Sequence, residues 1–213
     1  MRKMFALCFV LMLAVVSGTA VADLNIGVNM ASDQDGSTMA GESYDGVSNW
    51  TDATGASGTG LTVAGTGSMV TVDWTSAGTW RAGDTSTPEN KLYYGYLDDA
   101  GGATPELTFS GLSAWLAAEG MTGYKVRVYR NTDWGNGFTD TDILSGGSVI
   151  DVIAFDDGLP SGPMRAVNDS GALSADMITI DPQARDFSNG DSRATLAGVQ
   201  IIGVGMDTDG DGI

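Results

Sequence analysis

Turn-forming residues interrupt this chain so often that long helices have little room between them. Asp35-Gly36, Asp45-Gly46, Thr54-Gly55, Ser110-Gly111, Ser145-Gly146-Gly147 and Asn189-Gly190 punctuate it from end to end. Glycine supplies 31 of the 213 residues, about twice its usual share. Runs of charged helix formers are missing. Short strands joined by tight turns answer this composition, with a strand signal about every ten to fifteen residues. No βαβ rhythm and no internal repeat interrupts the pattern.

The strands are predicted from alternation. Leu24, Ile26, Val28 and Met30 share one face of a half-buried strand. Val70, Val72 and Trp74 share another, and Leu61-Thr62-Val63 lies just before them. Tyr124, Val126 and Val128 face one way, with Lys125, Arg127 and Tyr129 opposite. Residues 138–144 and 149–155 flank Ser145-Gly146-Gly147 and suit a hairpin. Residues 106–109, 177–180 and 196–204 complete the set, the last apolar on both faces. Residues 33–60 read as turn-rich, and 76–90 as a long loop. One helix is expected, over 113–119, with Ser113 as its cap and Gly120 as its stop. The predicted fold is an all-β antiparallel sandwich with one short helix.

The first 22 residues follow the plan of a secretory signal peptide. Arg2 and Lys3 precede an apolar run from Met4 to Val16, and Ala20-Val21-Ala22 is a cleavage site. Cys8 lies inside that run and lacks the preceding small residues of a lipoprotein signal. Cleavage leaves a chain with neither cysteine nor anchor, secreted to the extracellular space or the cell surface. Residues 23–205 are then the sandwich domain.

Composition removes much chemistry. The chain has no histidine, and Cys8 is its only cysteine. Ser-His-Asp triads, His-ligated metals, zinc fingers and thiol catalysis are all excluded. A net charge of −17 repels nucleic acid and anionic lipid. Solubility accounts for that charge, and so does the collection of divalent cations. Glu42, Glu89, Glu106 and Glu119 are the glutamates, and nothing marks a pair of carboxylates for glycan hydrolysis.

The last residues read Asp207-Thr208-Asp209-Gly210-Asp211-Gly212-Ile213. Carboxylates at alternate positions supply hard oxygens, and glycine lets the loop curl around one ion. Asp207, Asp209 and Asp211 are therefore the candidate calcium ligands. Half a loop supplies too few ligands, so calcium is expected in a longer parent protein. Asp133, Asp140 and Asp142, around Trp134-Gly135-Asn136-Gly137, form a second acidic group that reads as a solvated turn or a metal loop.

Trp50, Trp80 and Trp134 fall in loop-like sequence with Gly, Asn or Asp nearby. Each can offer a ring to the C–H face of a sugar, or serve as a lid over the sandwich edge. Trp74 and Trp115 fall on strand or helix faces and belong to the core. Tyr93, Tyr94 and Tyr96 fit either role.

Several segments taken in order resemble a group of secreted bacterial jelly-roll modules. They include Leu24-Asn25-Ile26-Gly27-Val28-Asn29, Ser48-Asn49-Trp50-Thr51, Val70-Thr71-Val72-Asp73-Trp74 and Gly95-Tyr96-Leu97-Asp98. Leu107 to Leu112, Tyr124 to Tyr129 and Ala197 to Ile202 continue the order. Such modules are similar to galactose-binding-like and malectin-like sandwiches. The resemblance implies a jelly roll and an extracellular glycan or cell-surface component as partner. The tail resembles the start of a thrombospondin type 3 repeat. A non-catalytic binding module is the first reading. A structural surface-layer or adhesin spacer is the second, and a carboxylate-based glycan hydrolase is the third.

Overall fold

A computed structural model describes residues 24–99, 103–133, 138–155, 165–183 and 194–205. The elements in chain order begin with β1 (Asn25–Asn29), β2 (Thr51–Asp52), β3 (Ser57–Thr62), β4 (Thr71–Thr75) and β5 (Gly78–Arg81). Helix α1 (Pro88–Tyr94), β6 (Gly95–Asp98), β7 (Glu106–Ser110) and α2 (Leu112–Glu119) follow. The long strand β8 (Met121–Asn131) leads to β9 (Thr141–Ser145), β10 (Ser148–Ile153) and β11 (Arg165–Asp169). Strands β12 (Ile178–Pro182), β13 (Thr195–Leu196) and β14 (Gly198–Gly205) end the described chain.

The protein is an all-β sandwich. One sheet runs β11-β8-β14-β1-β2 and the facing one β10-β9-β12-β7-β4-β3. A third, β13-β6-β5, is smaller. Pairing is antiparallel except between β1 and β2. Between the two large sheets lie Ile26, Val28, Tyr124, Val126, Val128, Val199 and Ile201 from one side. Val72, Trp74, Leu107, Phe109, Ile143, Ile178 and Ile180 meet them from the other. Each such side chain gains about 1.5–3 kcal/mol by leaving water, which makes this layer the main source of stability.

The period-two alternation of residues 124–128 and 70–74 places these residues as the sequence predicts. Strand β1 does not follow it. Its second face is buried too, because residues 31–50, α1 and β6 cover the outside of the five-stranded sheet. Met39, Val47, Trp50, Leu92, Tyr93, Tyr96 and Tyr129 form this second core. The amide nitrogen of Asn29 on that face is satisfied within it, while its Oδ1 is buried without a partner among the described residues. Asn29 Nδ2 donates to Ser37 O and to Asp52 Oδ1, both at 2.8 Å.

Among the described residues there are two helices rather than one. Thr87 caps α1 by accepting from Asn90 N at 3.1 Å, Pro88 opens the helix, and Glu89 sits in its first turn. These are ordinary helix-start signals. The expected loop over 76–90 therefore contains β5 and the first turn of α1. In α2 the cap is Gly111, not Ser113, and it offers no side chain. A distant carboxylate replaces it: Asp176 Oδ1 accepts from Ser113 N at 2.9 Å, and Asp176 O accepts from Leu112 N. Gly120 ends the helix in the left-handed conformation. Strands β9 and β10 form the expected hairpin, with Gly146 and Gly147 at φ 58° and 79° in the two positions a tight primed turn requires.

The charge has a structural use. Asp52 accepts from Met39 N and Ala40 N, each at 2.9 Å, as well as from Asn29 and the Thr38 hydroxyl. Asp33 takes Gly55 N, Asp73 takes Gly60 N, Asp151 takes Gly171 N and Asp140 takes Phe155 N. Each carboxylate ties a turn whose amide has no strand partner there.

Candidate functional site

Strand β5 is an edge of the three-stranded sheet and pairs with β6, placing Trp80 opposite Tyr96 and Thr79 opposite Leu97. Successive side chains on a strand point to opposite faces. Thr79 and Arg81 face the loop after β1, where Gln34 Nε2 donates to Thr79 Oγ1 at 3.0 Å and Arg81 pairs with Asp35 at 2.8 Å. Trp80 points the other way. It is 52% exposed, and its indole is anchored at one edge. Nε1 donates to Asp133 Oδ2 at 2.9 Å. Asp133 Oδ1 accepts from the Tyr96 hydroxyl at 3.1 Å, and that hydroxyl accepts from Asp133 N at 3.3 Å. Tyr96 is fully buried. Burial and the adjacent Asp133 carboxylate hold its hydroxyl protonated far above the ordinary phenol range.

Asp133 is fixed in turn by the end of β8. Arg130, Asn131 and Thr132 are polar yet buried. The Arg130 guanidinium donates from Nε to Thr195 O at 2.9 Å and from Nη1 to Thr139 O at 2.5 Å. It stacks over Phe138 at 5.0 Å and Phe155 at 5.6 Å from their ring centroids. Burial pushes it down to about 9, opposed by the Asp99 and Asp140 carboxylates, so it stays charged at neutral pH. Asn131 Nδ2 donates to Ala82 O at 3.1 Å and to Tyr93 O, tying the end of the strand that carries Trp80 to helix α1. The exposed indole thus stands on a rigid, polar, buried base.

The other predicted site residues are placed differently. Trp50 is 1% exposed. Its ring packs edge-on to Tyr129 at 5.8 Å and its Nε1 donates to Tyr44 O at 3.3 Å, so it offers no face to a ligand. Trp74 and Trp115 are buried in the central core. Trp134 lies outside the described residues, as do Asp207, Asp209, Asp211 and the signal peptide expected over 1–22. The acidic group of Asp133, Asp140 and Asp142 is not assembled as one. Asp133 serves Trp80 and Tyr96, Asp140 serves Phe155 N, and Asp142 stands opposite Asp181 across β9 and β12. Among the described residues no group of three or more acidic side chains is placed to hold a metal ion, and no helix is long and apolar enough to cross a membrane.

Reasoning from sequence did not single out Arg130, nor did it join Asp133 to Trp80. An Arg-Asn-Thr run at the end of a strand reads as an exit into solvent. The one available hint was the aromatic density at 93–96.

Comparison with family models, with curated proteins and with solved structures finds no match in any of the three.

Proposed function

We propose that this chain is an exported, non-catalytic extracellular module that binds glycan or a cell-surface component through the indole of Trp80. The observation that carries the reading is a half-exposed tryptophan whose orientation is fixed by Asp133 and Tyr96. A sugar ring buries its C–H face against such a surface, and an indole already held in place loses little freedom when it does so. The likeness of the ordered segments to jelly-roll modules points the same way. So does the signal-like start, and the Asp207, Asp209 and Asp211 pattern suits calcium-rich surroundings.

A glycan array of the full chain, in calcium and then in chelator, tests this. Binding to at least one glycan class, lost in Trp80→Ala with the fold intact, is the expected outcome. Absence of binding across the array would remove the lectin reading. The spacer reading would then lead, supported by the burial of Trp50, Trp74 and Trp115 and by the internal use of so many carboxylates.

A further inference from the structure

We propose that the Trp80 platform selects a positively charged amino sugar, with Asp133 as the counter-charge. This rests on the reading of Trp80 as a glycan platform and adds the chemical class of the ligand. Three observations carry it. First, both side-chain donors to the Asp133 carboxylate, the Trp80 indole and the Tyr96 phenol, are neutral. Among the described residues neither Lys nor Arg forms an ion pair with it. The carboxylate at the edge of the exposed ring therefore has no cationic partner among the described residues. Second, the base beside Trp80, Arg81, lies on the opposite face of β5 and is already paired with Asp35, while Arg130 is buried and donates to Thr195 O and Thr139 O. Arg81 neither offers a cation to an acidic sugar nor cancels Asp133. Third, the chain carries a net charge of −17, a field that draws cations and repels uronates or sulfated sugars.

An ammonium group above the indole meets two attractions at one place. The ring quadrupole favours a cation over its face, most strongly for tryptophan. The carboxylate has lone pairs left after its two hydrogen bonds and can accept from the ammonium. A neutral sugar of the same shape gains the stacking alone.

The test compares two probes on the full chain by calorimetry at mildly acidic pH. They are a β-1,4-linked glucosamine tetramer and the corresponding N-acetylglucosamine tetramer. Their rings stack alike and differ in charge. The amine form is expected to bind about tenfold more tightly at low ionic strength. That preference should shrink to less than about twofold near 0.5 M salt, where screening is short-ranged. Asp133→Asn should cut the preference to about twofold, the share left to the ring, and Trp80→Ala should abolish binding of the amine form. Equal affinity for the two tetramers, or tighter binding of the acetylated one, overturns the charge selection yet leaves the glycan platform standing if Trp80→Ala still removes binding. A preference left undiminished by Asp133→Asn or by high salt overturns the role of Asp133. Failure of wild-type protein to bind either tetramer overturns the inference, and the glycan array then decides the broader reading separately. The salt series needs no variant, so a misfolded Asp133→Asn would not leave the question open.

Discussion

The six-membered ring of Trp50 occupies the space that a side chain on Gly27 would need. A Cβ built on Gly27 would stand 2.6 Å from Cε3 and 2.7 Å from Cζ3 of that ring. Trp50 is buried and locked against Tyr129, so it cannot swing aside cheaply. Gly27→Ala should lower stability by about 1–3 kcal/mol, the usual cost of overpacking. Urea denaturation of the purified variant measures it. An unchanged midpoint would mean that the second core is loosely packed.

Helix α2 separates two candidate caps. Asp176→Ala removes the acceptor of Ser113 N and should cost about 1 kcal/mol. Ser113→Ala keeps that amide and loses no cap bond, so its midpoint should stay within about 0.5 kcal/mol of wild type. Reversal of the order would return the cap to Ser113.

Asp142 and Asp181 face each other across neighbouring strands. Burial, then the Asp181 and Asp140 charges, raise the Asp142 carboxyl above its ordinary value. The folded protein therefore holds that proton more tightly than the unfolded chain does. The resulting penalty is absent in strong acid and grows as pH rises through the carboxylate range. Asp142→Asn should stabilise the protein by about 0.5–1 kcal/mol near pH 7. The gain should vanish below about pH 4, and denaturation at the two pH values reads it out.

Tyrosines set the alkaline limit. Burial raises the hydroxyls of Tyr93, Tyr96, Tyr124 and Tyr129 well above the ordinary phenol value, with nearby carboxylates adding to it. Above about pH 10 the unfolded chain loses these protons while the folded one keeps them, so stability is full below that pH and falls above it. Arg130, pushed down by burial, acts with the opposite sign, one group against four. The urea midpoint should drop between about pH 9 and pH 11, with tyrosinate absorbance appearing together with unfolding. Ionisation of these tyrosines in the folded state would contradict their burial.

Local patterns were legible where one residue type had one physical meaning. The alternation of Tyr124, Val126 and Val128, and the paired glycines at 146 and 147, needed nothing beyond their neighbours. Thr87-Pro88-Glu89 was legible too, but the proline reads equally as a breaker or as the first residue of a helix. The two faces of β1 were not legible. What buries Gly27 and Asn29 is supplied by Trp50 and Asp52, more than twenty residues away. The same holds for the tryptophans. Trp50 and Trp80 sit in similar turn-rich sequence, and only a glycine in one case and a carboxylate 53 residues distant in the other give them opposite fates.

Strand β1 runs antiparallel to β14, with Asn25 beside Ile202 and Asn29 beside Gly198. Tyr129, at the far end of β8, pairs with that same Gly198. Leu24 and Gly205 therefore leave the sandwich at one pole, and Trp80 with Asp133 occupies the other, about 25 Å away along an eight-residue strand. A pull applied between the two ends would unzip β1 from β14 one hydrogen bond at a time, beginning at the bond from Gly203 N to Leu24 O. The pole bearing the indole would be the last to feel the load.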